Sequence, residues 1–286
     1  MEDERNILLD LRQQYYSKVF CVMEIVKCLQ HKELAFITNK GEPKENRLNI
    51  RYLFSERYDY LMKHFSATGF FRRNLNIYRS VASFLPNKIP IFSYNLAKRL
   101  EEPAYKDFNE NYNKYVADYD FLIDFDCKEY GSPADTMNDL SKIKAILDEF
   151  SLPYGIWNTS FKGFHFWIEG KWFEKSKTDW LKKRLMLFQE IAYNINGIYN
   201  IKGIDLSIFD NKRLAKCPYS FVGDGSICIP LDNLQFEQFF KNPQIVEVNN
   251  VLKTVFIKGR GLLIRNQNFT DKELMENTRQ FVREFK

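Results

Sequence analysis

The chain has 286 residues, enough for one sizeable α/β domain or two small ones, and its 45% hydrophobic and 16% aromatic content lets a real core form. Its net charge of +5 is mildly basic and compatible with a polyanionic partner. It has no apolar run of about 18 residues, and Met1-Glu2-Asp3-Glu4-Arg5 is not a signal-peptide pattern, so a soluble intracellular protein with no membrane partner is expected.

Leu8, Leu11, Tyr15, Val19, Val22, Ile25, Val26 and Leu29 recur at three- and four-residue steps and predict a helix over 5–30. Strand-like runs follow at 33–38 and 48–54, joined by the turn Asn39-Lys40-Gly41-Glu42-Pro43. A helix over 56–67 and a strand over 77–84 come next; Pro86 and Pro90 mark a loop, and 91–115 reads as partly helical. After a strand that ends at Asp126, Asp135 to Phe150 is amphipathic. A strand pair at 154–159 and 163–169 precedes the longest predicted helix, 174–195. Further strands are expected at 201–209, 226–230 and 251–258, and a terminal helix over 271–285, opened by a Thr270 cap. No internal repeat or low-complexity linker forces a split. One mixed α/β body over 1–286 is therefore expected: a helix-and-strand portion (1–115), a core (116–235) and a C-terminal strand and helix (236–286).

The chemistry centres on Asp124-Phe125-Asp126. Alternation along a strand turns Asp124 and Asp126 to one face and Phe121, Ile123 and Phe125 to the other. At roughly 3.3 Å per residue the two acids lie about 6–7 Å apart at Cα. Two such anions on one face are costly unless a cation lies between them, and hard oxygen ligands suit Mg²⁺ or Mn²⁺. In Ser160-Phe161-Lys162-Gly163-Phe164-His165, a hydroxyl, a cation and an imidazole suit a nucleotide's phosphates, and Gly163 admits a close backbone approach. Asp205 could complete a three-carboxylate cluster. Arg213 and Lys216, three apart, share a face if their stretch is helical and could then neutralise a triphosphate. The five cysteines (Cys21, Cys28, Cys127, Cys217, Cys228) form no Cys-x-x-Cys pair, and His31, His64 and His165 add no standard ligand spacing. Neither a disulfide framework nor a structural zinc is expected.

The order Asp-x-Asp, Ser…Gly-x-His, isolated Asp, then Arg213-Leu214-Ala215-Lys216-Cys217-Pro218-Tyr219-Ser220 resembles the catalytic (small) subunit of the archaeo-eukaryotic primases. Tyr15-Tyr16-Ser17-Lys18-Val19-Phe20, His31 to Phe36 and Ile50-Arg51-Tyr52 are similar to motifs of that family's N-terminal half. The resemblance spans roughly residues 8–235 and implies an α+β primase catalytic core, an RRM-like sheet with flanking helices. It implies that Asp124, Asp126 and Asp205 bind two catalytic Mg²⁺ or Mn²⁺ ions. Ser160, Lys162, His165 and Lys216 would contact the nucleotide's phosphates, with Arg213 close by; Glu33 and Arg51 would lie near the initiating nucleotide or primer end. The family's cysteine- and histidine-rich zinc insertion is missing, as is its His after the Pro-aromatic-Ser segment, where Phe221 and Val222 stand. The implied activity is a DNA-directed RNA polymerase-type nucleotidyltransferase making primers on single-stranded DNA from nucleoside triphosphates beside a primase large subunit. It would work in the cytoplasm or nucleoid, or the nucleus of a eukaryote. Two alternatives stand: a primase-polymerase preferring deoxynucleotides, as in repair, plasmid, phage or CRISPR-linked relatives, and a catalytically silent single-strand-binding assembly subunit.

Overall fold

Asp120 interrupts the run from Tyr119 to Asp126, and the strands on either side of it join different sheets. The computed structural model describes residues 9, 12–13, 15–17, 19–38, 47–127, 130, 133–160, 163–175, 180–221 and 227–231. In chain order its elements are α1 (Val19–Cys28), β1 (Lys32–Thr38), β2 (Asn49–Leu53), α2 (Tyr58–Thr68), β3 (Leu75–Phe84), α3 (Leu96–Glu101), α4 (Pro103–Glu110) and β4 (Val116–Tyr119). Then come β5 (Phe121–Asp126), α5 (Pro133–Glu149), β6 (Gly155–Ser160), β7 (Gly163–Ile168), α6 (Trp180–Tyr199), β8 (Leu214–Lys216) and β9 (Ile229–Leu231). The α+β class expected from the sequence is the class observed.

The chain divides into two compact units, Met1–Tyr119 with Asn211–Gly223, and Asp120–Asp210 with Asp224–Lys286. The first holds an antiparallel sheet ordered β2-β1-β3-β4. β8 pairs with β3 through Tyr78↔Lys216, so β8 and β4 share the β3 edge that β1 leaves open. The apolar face of this sheet packs under aromatic rings: Phe65 stacks on Phe70 at 4.3 Å, and Tyr16 meets Phe70 edge-on at 5.3 Å. Gly69 ends α2 in the left-handed conformation, with φ 62°, where a β-carbon would be strained. Asn95 caps α3 by accepting from the Ala97 and Lys98 amides, and Pro103 restarts the chain as α4.

The second unit holds an antiparallel sheet ordered β5-β7-β6-β9. Phe121 on β5 packs on Phe188 of α6 at 5.1 Å, so the Phe121/Ile123/Phe125 face is the core face, as the alternation predicts.

Three local expectations change. Residues 201–209 are not a strand: Ile204 alone bridges Phe125, and a 3₁₀ turn occupies Leu206–Ile208. Residues 214–216 are a strand, not a helix. The longest helix is displaced to Trp180–Tyr199 from the predicted 174–195. The turn at 39–43, the strand at 251–258 and the helix at 271–285 lie outside the described residues. Among the described residues no helix is long and apolar enough to cross a membrane.

Candidate active site

β5 positions the acids. On one edge it pairs with β7 in the register Asp124↔His165 and Asp126↔Gly163. On the other edge the Asp126 amide donates to Gly203 O at 2.8 Å and the Asp205 amide donates to Asp124 O at 2.9 Å. With Phe125 bridged to Ile204, this register sets Asp205 opposite Asp124. Opposed residues share a face, so Asp205, Asp124, His165 and Trp157 form one row across four adjacent segments, with Asp126 in the next row.

His165 is 5% exposed, and its Nε2 lies 3.4 Å from Oδ1 of the 31%-exposed Asp124. Its Nδ1 is buried with no hydrogen-bond partner. The Asp205 Oδ1 accepts from the Ser207 amide (2.9 Å) and hydroxyl (2.6 Å), which fixes this acid at the start of the 3₁₀ turn. The donor set fits a hard divalent cation in chemistry and register: three carboxylate residues on one sheet face, two directly opposed across strands, where unscreened anions repel. The side chains are not drawn together, since among the described residues no three His, Cys, Asp or Glu groups converge on a metal-sized site.

Two glycines set this geometry. A β-carbon on Gly163 would lie 2.2 Å from Phe125 O, and one on Gly203 would lie 2.7 Å from the Phe125 ring. The close approach read at Gly163 is therefore made by β5 of the same sheet. Gly163→Ala should push β7 from β5 and cost about 1–3 kcal/mol. At about 2–4 °C per kcal/mol, thermal unfolding should show a Tm lower by several degrees; an unchanged Tm would mean that β5 yields without cost.

Sequence reasoning missed Tyr130 and Asp120. The Tyr130 hydroxyl accepts from the Gly203 amide (2.9 Å) and donates to Asp139 (2.6 Å), and its ring stacks on Phe125. It thus pins the segment that carries Asp205; burial, then the Asp139 bond, raises its pKa. No sequence spacing links 130 to 203. Asp120 is buried and accepts from Trp167 Nε1 (2.7 Å) and the Gly170 amide (2.9 Å), tying the start of β5 to the end of β7. The Cys127 thiol beside these acids is pushed up to about 12 by burial and then by Asp126, which keeps it protonated.

Of the other residues singled out in the sequence, Glu33, Arg51, Arg213 and Lys216 belong to the first unit, and Ser160 and Lys162 to the second. Glu33 is fully buried and grips Arg51 with both oxygens (2.8 and 3.1 Å). The same carboxylate accepts from the Tyr52 amide (3.1 Å) and the Tyr112 hydroxyl (3.2 Å). Arg51 also donates to Lys212 O at 2.8 Å. Desolvation lowers the Arg51 pKa most, but the Glu33 charge and hydrogen bond, with Tyr112 and Tyr52, together outweigh it and the net shift is upward. Arg51 and Lys216 share the Glu33 face of the sheet by register. Arg213 stands just before β8, its carbonyl accepting from the Val81 amide at 3.0 Å, so no helix brings it to one face with Lys216. Ser160 ends β6 opposite Gly163; its side chain and all of Lys162 lie outside the described residues.

No family model matches the chain, and no curated protein matches it in sequence. Among solved structures it is similar to the polymerase domain of Ligase D from Mycobacterium tuberculosis, determined in complex with DNA, with a TM-score of 0.52 and 9% identity over 95% of this chain and 88% of that chain. It is also similar to the catalytic domain of primase Repb' in complex with initiator DNA, with a TM-score of 0.38 and 12% identity over 79% of this chain and 97% of that one, a score that carries no argument. The likeness is one of fold: the mixed helix and antiparallel-sheet architecture is similar to that of the Ligase D polymerase domain.

Proposed function

We propose that the chain is a primase-polymerase-type nucleotidyltransferase that adds nucleotides along a single-stranded DNA template. The observation that carries this is the row Asp205–Asp124–His165 beside Asp126 on one sheet face. In the reaction a primer 3′-hydroxyl, or that of a first nucleotide, attacks the α-phosphate of a nucleoside triphosphate, and pyrophosphate leaves. Mg²⁺ or Mn²⁺ held by Asp124, Asp126 and Asp205 would lower the hydroxyl's pKa and offset charge on the attacking and leaving oxygens. His165, buried with its Nε2 3.4 Å from Asp124 Oδ1, would orient that acid and contact the nucleotide's phosphates. The order of the motifs assigns Ser160, Lys162 and Lys216 to the triphosphate, with Arg213 as a further basic residue of that motif; electrostatic positioning would supply most of the rate. Arg51, held by Glu33, serves the initiating nucleotide or primer end, and a large subunit supplies the rest of initiation.

A polymerase preferring deoxynucleotides is the second reading, favoured by the fold neighbour being a polymerase domain solved with DNA. The test is primer extension and unprimed synthesis on one template, with ribo- or deoxynucleotides, with and without divalent metal and a large subunit. Metal-dependent extension should exceed unprimed synthesis by the isolated chain, because initiation must hold two free nucleotides at once. Absence of incorporation under every condition would leave the catalytically silent strand-binding subunit.

A further inference from the structure

Arg57, Tyr60, Lys63 and Ala67 follow one another at three- and four-residue steps, so they share one side of α2. The Arg57 guanidinium lies 5.1 Å from the Tyr60 ring centroid. The Lys63 ammonium lies 5.6 Å from the same ring and 6.0 Å from the ring of Tyr94, so it stands between two tyrosines. Tyr60 is 38% exposed and Tyr94 is half-buried. Arg57 also meets Asp59 at 3.0 Å, but both partners are largely solvated, and such a pair holds its charge weakly.

A cavity of about 450 Å³ opens beside this ladder, lined by Ala67, Tyr94, Asn95 and Ala97. His64, one turn before Ala67 on the same side of α2, packs its ring on Tyr94 at 4.9 Å. It is buried; Nε2 faces Phe54 O at 3.4 Å, and Nδ1 has no partner. Arg99 on α3 is 2% exposed, donates from Nε to Ser93 O, and leaves Nη1 unpartnered. Among the described residues no carboxylate pairs with it. Burial lowers the pKa of both, most strongly for His64, to about 4, so its Nδ1 is a lone-pair acceptor beside an unspent guanidinium donor. Tyr94 and the Asn95 amide at the cavity suit a ligand that is planar and carries a polar edge.

We propose that this side of the first unit is a docking surface for single-stranded nucleic acid: bases stack on Tyr60 and Tyr94, one base edge enters the cavity beside Tyr94 and Asn95, and Arg57 and Lys63 take the phosphates. Alternating rings and cations match a strand whose stackable bases alternate with anions. An acidic peptide would use the two cations and leave the ring faces and the cavity empty. A duplex has its bases already stacked and offers nothing to Tyr60. The choice of occupant rests on the nucleic-acid reading above; the geometry of the surface does not.

The experiment is fluorescence anisotropy with labelled deoxy and ribo oligonucleotides of about 12 nucleotides, within the ~4–16 that a single-strand site covers, and a duplex of equal length, each over a salt series. Tyr60→Ala, at an exposed position, should weaken single-strand binding about tenfold with an unchanged salt slope, and Tyr60→Phe should restore it. Lys63→Ala should lower the salt slope by about one. A folded Tyr60→Ala protein that binds like the parent, or a parent that prefers the duplex, overturns the proposal. Loss of strand binding in Tyr60→Ala from a parent that incorporates no nucleotide would keep the surface and remove the polymerase reading; the opposite pair of results would do the reverse.

Discussion

Asp124→Asn is expected to reduce nucleotide incorporation by a factor of about 10³ or more while leaving the melting temperature near that of the parent. Asparagine keeps the size and the strand position but removes one of two directly opposed carboxylates, and with it much of the charge that would bind a divalent cation. A loss of several kcal/mol of transition-state stabilisation corresponds to that factor. Asp124 has a side chain about one-third exposed, so its replacement strains no packing. Asp126→Asn should behave alike, for it occupies the next row of the same face. Single-turnover incorporation with saturating Mn²⁺ measures the effect; turnover within a few-fold of the parent in both variants would remove the carboxylate row from the chemistry.

The second large effect concerns stability. Glu33→Ala should cost about 3–5 kcal/mol, the range for removing one partner of a buried ion pair. The Glu33 carboxylate is fully buried and meets the Arg51 guanidinium, the Tyr52 amide and the Tyr112 hydroxyl together. Its loss leaves the Arg51 guanidinium with the Lys212 carbonyl and takes this acceptor from the Tyr52 amide and the Tyr112 hydroxyl. Urea denaturation should show a lower midpoint at an unchanged slope. Glu33→Gln, which keeps an acceptor and shape but not the charge, should recover part of the loss. A Glu33→Ala protein as stable as the parent yet defective only in unprimed synthesis would instead make Glu33 a direct nucleotide contact.

The period-two pattern from Phe121 to Asp126 was legible because both faces of one strand are spelled out by alternating phenylalanine and aspartate, and the structure buries the apolar set. The edge partner was not legible. Gly203-Ile204-Asp205 makes a single bridge to β5, held by Tyr130 from far along the chain, and no local periodicity marks a contact of that length. Arg213 and Lys216 suggested a helix through their spacing, but three residues on the open edge of β3 are governed by pairing, not by propensity. No sequence pattern marks Asp120, yet burial with two donors makes it the point at which the chain leaves one sheet for the other. The Tyr15-Tyr16 pair was visible as a motif, but its hydroxyl contacts were not.

Those contacts carry a consequence for how the chain is made. The Tyr15 hydroxyl donates to Tyr219 O at 2.8 Å, and the Phe221 amide donates to the Tyr16 hydroxyl at 2.9 Å. A tether is therefore closed across some two hundred residues of intervening polypeptide, and β8 beside it completes the edge of β3. The equilibrium penalty for so long a closure grows only logarithmically, by about 0.6 kcal/mol for each doubling of length. Time is a different matter. A ribosome delivering this chain exports residues 1–119 first and must then translate the whole inserted body before the segment that finishes the first sheet emerges. At about 5–20 residues per second, the nascent sheet waits seconds with an open edge, a template for another chain's strand. Because the second sheet also waits for β9, which follows β8 in the chain, a chaperone over the bare edge of β3 is what the topology demands of the cell.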